Sequence, residues 1–303
     1  MVINQMEVVK LEKHLVKKLG TAVLLGDFEP NSVDWHGARS EGIGGSEVGT
    51  ILGLNPWESA YTLFHKKLGN ISDELEQNWM IRFGKAFEEP ILNLFAEEHP
   101  ELDIYLTGTY QHKDMPWMHA NPDAIAKHKT TGEWFIIEIK YARAGWTNVP
   151  PHYWAQVTHY LDVFGWKRGY LVGVAGSNWE EHLLESDDFE REVQRDAIKR
   201  FWGCVVAERA PDWDGSKSTY ETVRKLHPEI DNNSVTVSSE LVQTIKEKAK
   251  LVDEATAELN KAKSQLLDSM GQAKYAHVLE NGQEVIVAQR QARGVGTPYL
   301  VMK

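Results

Sequence analysis

Residues 121–140 read NPDAIAKHKTTGEWFIIEIK, and the second half of that stretch decides the fold. Trp134 to Lys140 forms a strongly apolar strand interrupted by Glu138 and Lys140. Ala124 to His128 reads as a shorter strand, and Thr131-Gly132 as the turn between them. On a strand, positions i and i+2 share a face, with α-carbons roughly 6.6 Å apart. Glu138 and Lys140 therefore point one way, and Ile137 and Ile139 the other. A lone charge buried there is costly, whereas a carboxylate and an ammonium around a cation satisfy one another. A preceding strand or turn can bring Asp123 beside them; fourteen residues separate it from Glu138. Two carboxylates suit Mg²⁺, a hard ion that keeps several waters and accepts phosphate oxygens. Such an ion acidifies a bound water and neutralises charge as a phosphodiester is attacked. Lys140 can position that water or stabilise the transition state. The same spacing also fits a strand-edge salt bridge, so the pattern alone leaves both readings open.

Helical patterns flank the stretch. Upstream, Val8, Leu11, Leu15 and Leu19 recur at helical spacing, which predicts a docked helix within residues 1–30. Ser46 after Gly44-Gly45 reads as an N-cap, with Glu47 in the first turn. Ser59 caps a helix over Ala60–Leu68, closed by Gly69. Residues 78–98 form a helix with Phe83, Phe87, Ile91, Leu94 and Phe95 on one side, and Pro90 inside it as a potential kink. Ile104 to Tyr110 and Trp117 to Ala120 read as strands.

Downstream, His152 to Phe164 is a helix with Val157, Tyr160, Leu161 and Phe164 on its core face. Gly169 to Ala175 is a strand, and residues 186–208 are helical. Residues 209–237 contain Pro211, Pro228 and Asp231-Asn232-Asn233-Ser234 and read as a linker or irregular segment. Residues 238–269 form a long polar helix with Ile245, Val252, Leu259 and Leu266 at heptad spacing. His277 to Arg290 forms a hairpin turning at Glu280-Asn281-Gly282.

Composition narrows the class. The 303 residues are 42% apolar and 25% charged, as in an ordinary globular protein. The lone Cys204 cannot form an internal disulfide, which fits a reducing cytoplasm. No apolar run approaches a membrane span. Lys10, Lys13, Lys17 and Lys18 interrupt any signal-peptide core. A net charge of −11 argues mildly against nucleic-acid binding, although a metal-dependent nuclease concentrates carboxylates and lets its cation meet the phosphate.

Several separated motifs in residues 33–190 resemble one family in their order. Trp35, Arg39 and Gly44-Gly45-Ser46 come first, then Leu52 to Trp57, then Gly84 with Glu88. Asp123 and Glu138-Ile139-Lys140 follow, then Tyr153 with Gln156. Together they resemble the YqaJ-like viral recombinases and phage lambda-type alkaline exonucleases of the PD-(D/E)XK superfamily. The resemblance implies an α/β fold: a central mixed sheet flanked by helices, with a C-terminal helical and hairpin extension. It divides the chain into a nuclease domain over 1–208, a linker over 209–237 and an extension over 238–303.

It also implies roles. Asp123 and Glu138 would bind Mg²⁺, for which Mn²⁺ can substitute, with the Ile139 carbonyl as a further ligand. Lys140 would act on the nucleophilic water. Glu88 would hold a metal-bound water or assist a second ion, and Gln156 would hydrogen-bond near the nucleophile. Arg39 and Ser46, with Tyr153 nearby, would bind DNA at its 5′-terminal phosphate. The implied activity is digestion of linear duplex DNA from 5′ ends, leaving 3′ tails for a single-strand annealing recombinase. A trimeric ring of the chain is implied too. An endonuclease of the same superfamily, or a recombinase-loading scaffold on a nuclease fold, remain the alternatives.

Plainer readings stand beside these. Arg39 suits a surface ion pair, and Ser46 a simple cap. Glu89 competes with Glu88 for the inward position, and Gln156 suits a solvated helix face. His112, His119 and His128 suit structural or surface roles. Trp57, Trp117, Trp134 and Trp154 suit core or groove positions better than base-stacking platforms.

Overall fold

The computed structural model describes residues 11–29, 32–72, 79–142 and 145–303. It divides into two compact units, Met1–Ile230 and Asp231–Lys303. The first unit begins with β1 (Glu12–Lys13), β2 (Lys18–Leu19), β3 (Ala22–Gly26), α1 (Val33–Ser40), β4 (Ile43–Gly44), α2 (Gly45–Ile51), α3 (Ala60–Lys67) and α4 (Trp79–Glu98). It continues with β5 (Leu102–Leu106), β6 (Thr109–His112), β7 (Met118–Ala120), β8 (Ala124–His128) and β9 (Trp134–Tyr141). Then come α5 (Pro151–Phe164), β10 (Arg168–Ala175), β11 (Asn178–Glu185), α6 (Asp188–Val206) and α7 (Lys217–Leu226).

A six-stranded mixed sheet in the order β1-β5-β8-β9-β10-β11 forms the centre. β8 and β9 are antiparallel neighbours, joined by the expected turn at Gly132. β9 and β10 are parallel, and two parallel neighbours need a crossover, which α5 supplies. Strand alternation divides β9 between two cores. Ile136 packs with Val157 and Leu161 of α5, whereas Ile137 and Ile139 pack with Ile91, Leu92 and Phe95 of α4. Each fully buried aliphatic side chain of this kind contributes about 1.5–3 kcal/mol. Glu138 and Lys140 lie on the Ile136 face, as the alternation requires.

Four sequence expectations change here. The described part of the N-terminal stretch, from Leu11, is strand and loop rather than helix; Val8 lies outside the described residues. Pairing of β1 with β5 and of β3 with β6 overrides the helical spacing. Ile104 to Tyr110 is not one strand. It divides at Thr107-Gly108 into β5 of the central sheet and β6 of a second sheet ordered β2-β3-β6-β7-β4. Gly108 makes the transfer possible, because a Cβ there would sit 2.6 Å from the Gly26 carbonyl oxygen. On α4, Leu92 takes the buried position and Leu94 is exposed; the helix runs on through Pro90. Finally, the segment 209–237 contains α7, whose Ser218 and Thr222 hydroxyls pair with Thr62 of α3. A polar contact carries no apolar periodicity, so the segment read as loop.

The second unit holds α8 (Ser239–Met270), β12 (Tyr275–Glu280), β13 (Gln283–Gln291) and β14 (Tyr299–Met302). Ser238 caps α8 by accepting the Leu241 N–H. The β12–β13 hairpin turns at Asn281-Gly282, both at positive φ as a two-residue turn demands. Ile245, Val252 and Leu259 of the heptad pattern are exposed on α8. No described helix is long and apolar enough to cross a membrane.

Candidate active site

The register of β8 against β9 builds the centre of the site. Ala124 pairs with Ile137, so Asp123, one residue earlier, comes level with Glu138. Asp123 is fixed there by its Oδ2, which accepts the Ile139 N–H at 2.7 Å. Lys140 Nζ donates to Glu138 Oε1 at 2.5 Å. From α5, Gln156 Nε2 donates to the same oxygen at 2.5 Å. Tyr153, Gln156 and Tyr160 share one face of α5 by their three- and four-residue spacing. The Tyr153 ring lies 5.4 Å from Lys140 Nζ. Glu138 is only 3% exposed, and its Oε2 is buried with no hydrogen-bond partner. Such an orphan costs about 1–3 kcal/mol, more when charged.

Electrostatics shows how crowded this centre is. Burial, and then the Asp123 carboxylate, push Glu138 up to about 8 against the pull of Lys140. Burial and Asp123 likewise push Glu88 up to about 7. Glu89 is exposed, so Glu88 is the α4 carboxyl that feels the site. Asp123 is raised by burial, despite Lys140 and the Ile139 N–H. Burial opposes the charge on Lys140, but Glu138 and Asp123 outweigh it and hold the ammonium above its ordinary value. A divalent cation fits here: it would relieve the carboxylate repulsion and give Glu138 Oε2 a partner. Among the described residues no three His, Cys, Asp or Glu side chains converge tightly enough to hold an ion alone. An ion held by two carboxylates takes its other positions from carbonyl, water and substrate oxygens, as Mg²⁺ does.

A cleft of about 70 Å³ opens beside this centre, lined by Trp35, Arg39, Ser46, His119, Asn121 and Tyr160 among others. Arg39 lies in the last turn of α1, and its guanidinium lies 4.7 Å over the Trp35 ring and 3.3 Å from Glu47 Oε1. Arg39 thus has an ion pair, as its plainer reading held, but the pair lies at a cleft. Ser46 is not the N-cap of α2. Gly44 takes that position, and Glu47 Oε2 accepts the Gly44 N–H at 2.8 Å, which leaves the exposed Ser46 free to face the cleft. Tyr160 joins the two parts: its hydroxyl accepts from Gln156 at 3.1 Å and donates to the Asn121 carbonyl at 3.3 Å. Helix α2 lies directly against α5 because positions 45 and 49 are glycine. A Cβ at Gly45 would come within 2.4 Å of the Tyr160 ring, and one at Gly49 within 2.7 Å of His152.

Sequence reading thus named Asp123, Glu138, Ile139, Lys140, Glu88, Gln156 and Tyr153, which gather around one centre, and Arg39 with Ser46, which gather at the cleft. It missed four residues. Tyr160 was placed on the core face of its helix, on the side of Gln156, but was given no role in the site. Asn121 stood two residues from Asp123 and was passed over. Glu47 was read only as a first-turn acid. Lys67 gave no signal at all, yet its side chain is 4% exposed, and its ammonium lies 2.8 Å from Glu47 Oε1 and donates to the Arg39 and Gly42 carbonyls at 2.6 Å. Trp57, expected in a core or groove, is 71% exposed, while His112 and His119 are buried as structural roles require.

An antiparallel β5-β8-β9 set, a crossover helix to a parallel β10, and an Asp…Glu-x-Lys cluster at β9 make up the mixed α/β core that the sequence resemblance implied. Residues 34–167 match the model of the YqaJ-like viral recombinase domain. It is 27% identical over 272 residues to the uncharacterized protein YqaJ of Bacillus subtilis, covering 84% of this chain and 83% of that one. Among solved structures it is similar to an alkaline exonuclease, LHK-Exo, from Laribacter hongkongensis. The identity is 17% and the TM-score 0.48, over 64% of this chain and 97% of that one. A structure of LHK-Exo in complex with dAMP aligns at 18% identity and a TM-score of 0.49, over 58% of this chain and 94% of that one.

Proposed function

We propose that the protein is a Mg²⁺-dependent exonuclease that digests linear duplex DNA from 5′ ends. The observation that carries this reading is Glu138: one oxygen held by Lys140 and Gln156, the other buried and unpartnered, beside Asp123. A structural ion pair has no use for the open oxygen, whereas a metal ligand does.

In this reading Asp123, Glu138 and the Ile139 carbonyl hold the ion, and Mn²⁺ can replace Mg²⁺. When bound, the ion supplies charge neutralisation and a more acidic water. Gln156 fixes the rotamer of Glu138. Lys140 orients the attacking water and stabilises negative charge developing on the phosphate. Glu88, pushed up to about 7 by burial and Asp123, would accept in its ionised form the proton that the attacking water gives up. Tyr153 flanks Lys140 at the entrance. Arg39 and Ser46 bind the 5′-terminal phosphate in the adjoining cleft, Arg39 by charge-assisted hydrogen bonds. The products are 3′ single-stranded tails for a strand-annealing recombinase, and the working form is a trimeric ring in the cytoplasm.

The test supplies Mg²⁺ and compares 5′-phosphorylated linear duplex with covalently closed circular duplex. We expect the linear DNA to be degraded and the circle to persist, with Lys140→Ala degrading neither. Cutting of the circle as fast as the linear DNA would overturn the exonuclease assignment. Digestion of the linear DNA by Arg39→Ala at the parent's rate would remove the 5′-phosphate role.

A further inference from the structure

Trp57 is a large apolar side chain that the site described above does not use. It is 71% exposed, yet its loop is tightly held. The Leu54 and Asn55 N–H groups both donate to the Gly49 carbonyl, at 2.8 and 3.1 Å. Asn55 Nδ2 donates to Thr50 Oγ1 at 2.9 Å, and Asn55 Oδ1 accepts the Trp57 N–H at 2.9 Å. The held loop therefore presents the indole as a fixed, open, flat face, the geometry on which a base can stack.

The neighbours of Trp57 lead to the active site. Its ring meets His152 edge to face at 5.4 Å, and His152 meets Tyr153 at 4.1 Å. Tyr153 in turn carries Lys140 Nζ 5.4 Å from its ring. His152 is placed by Gly49, against which its Cβ packs, so the loop carrying Trp57 and the start of α5 are fixed to each other. A row of rings thus runs from the candidate catalytic ammonium to an open indole face. A strand whose phosphate lies at Lys140 would pass these rings, and unpaired bases stack on aromatic faces without regard to sequence.

We propose that Trp57 is a stacking platform for an unpaired nucleobase of the DNA strand engaged at Lys140. The proposal rests on the nuclease reading of that site. It adds a determinant of how the strand is held beyond the metal centre and the phosphate cleft. Stacking on Trp57 keeps the strand in line while Tyr153 and His152 wall the path behind it.

The test uses the full chain, with Trp57→Ala and Trp57→Phe. In EDTA, so that nothing is cut, oligonucleotides carry 2-aminopurine at one of the first four positions from the 5′ end. We expect the parent and Trp57→Phe to quench its emission at one or two adjacent positions, and Trp57→Ala to leave it bright. With Mg²⁺, Trp57→Ala should raise KM for DNA by about five- to tenfold at unchanged kcat, and Trp57→Phe should restore most of it. A parent that cuts DNA with a KM and quenching indifferent to Trp57→Ala overturns the platform and leaves the nuclease reading standing. Trp57-dependent quenching by a parent that never cuts supports the platform and overturns the nuclease reading. If Trp57→Ala instead changes the molar mass by light scattering while KM and quenching stay at parent values, the indole is a contact between copies and the proposal fails.

Discussion

Among the described residues, the Lys67–Glu47 and Lys140–Glu138 pairs each bury their carboxylate, and their surroundings differ in the one respect that separates a structural pair from a candidate chemical one. Glu47 is fully answered: Lys67 and Arg39 reach Oε1, and the Gly44 N–H reaches Oε2. Burial works against its charge, but Lys67 and Arg39 outweigh it and hold the carboxyl below its ordinary value. Glu138 is just as buried and has its own lysine, but the neighbouring Asp123 and an orphaned Oε2 leave it raised. A buried pair persists when hydrogen bonds satisfy its remaining atoms. Where they do not, the deficit points to a missing ligand. The two pairs also share geometry through Tyr160, which touches Gln156 on one side and Gly45 on the other.

The comparison breaks most visibly at Glu138. Glu138→Gln should reduce DNA digestion by about 10²–10⁴-fold, the scale of losing one positioned catalytic group. Its chemical denaturation midpoint in chelator should match or exceed that of the parent, because the change removes a crowded charge. A Glu138→Gln variant that digests normally would return this pair to the structural class of Glu47.

Lys67→Met should do the reverse at the other pair. It leaves Glu47 buried beside Arg39 alone, at a cost of about 3–5 kcal/mol, read as a lower urea midpoint. The chain should keep its response to Mg²⁺. Lys67→Met with parental stability would show that Glu47 is hydrated or that Arg39 suffices.

A subtler separation lies in pH. Glu138 and Glu88 bind protons more tightly folded than unfolded. Their stabilising contribution is therefore complete below their ordinary value of 4.5 and lost as pH rises towards about 7 and 8. Glu47 has the opposite sign: its contribution is present above 4.5 and lost as pH falls through its lowered value. In chelator, thermal melting should show Glu138→Gln flattening the decline between pH 5 and 8, and Glu47→Gln reducing the loss in acid. Mg²⁺ should raise the parent's stability at pH 8 by about 2.7 kcal/mol at a hundredfold excess over its dissociation constant, and by less at pH 6. Equal gains at both pH values would mean that the ion does not bind the raised carboxylates.

The strand β9 was readable because burial on both faces gives a short continuous apolar run, and the two charges that break it lie two residues apart and so share one face. Helix α5 and its Gln156 were readable for the same kind of reason. The N-terminal stretch misled because Leu11, Leu15 and Leu19 satisfy a helical period by chance, while strand pairing with distant partners decides their conformation. Ser46 misled because a serine before a helix resembles a cap, whereas the Gly44 N–H to Glu47 bond sets the N-cap two residues earlier. Lys67 could not be read at all: its importance lies in contacts with residues 39, 42 and 47, and no local pattern encodes them.

Sequence by itself determined the central strand with two charges on one face, the order of the motifs around it, and so the class of fold. Alternation and spacing are properties of the local backbone, and local rules suffice for them. Tertiary structure alone decided that Asp123 stands level with Glu138, that one Glu138 oxygen is left without a partner, and that Lys67 answers Glu47. It also decided that Trp57 stays in the open. These depend on strand register and on helices meeting across dozens of residues, where the dielectric and the count of available partners are set by the whole fold.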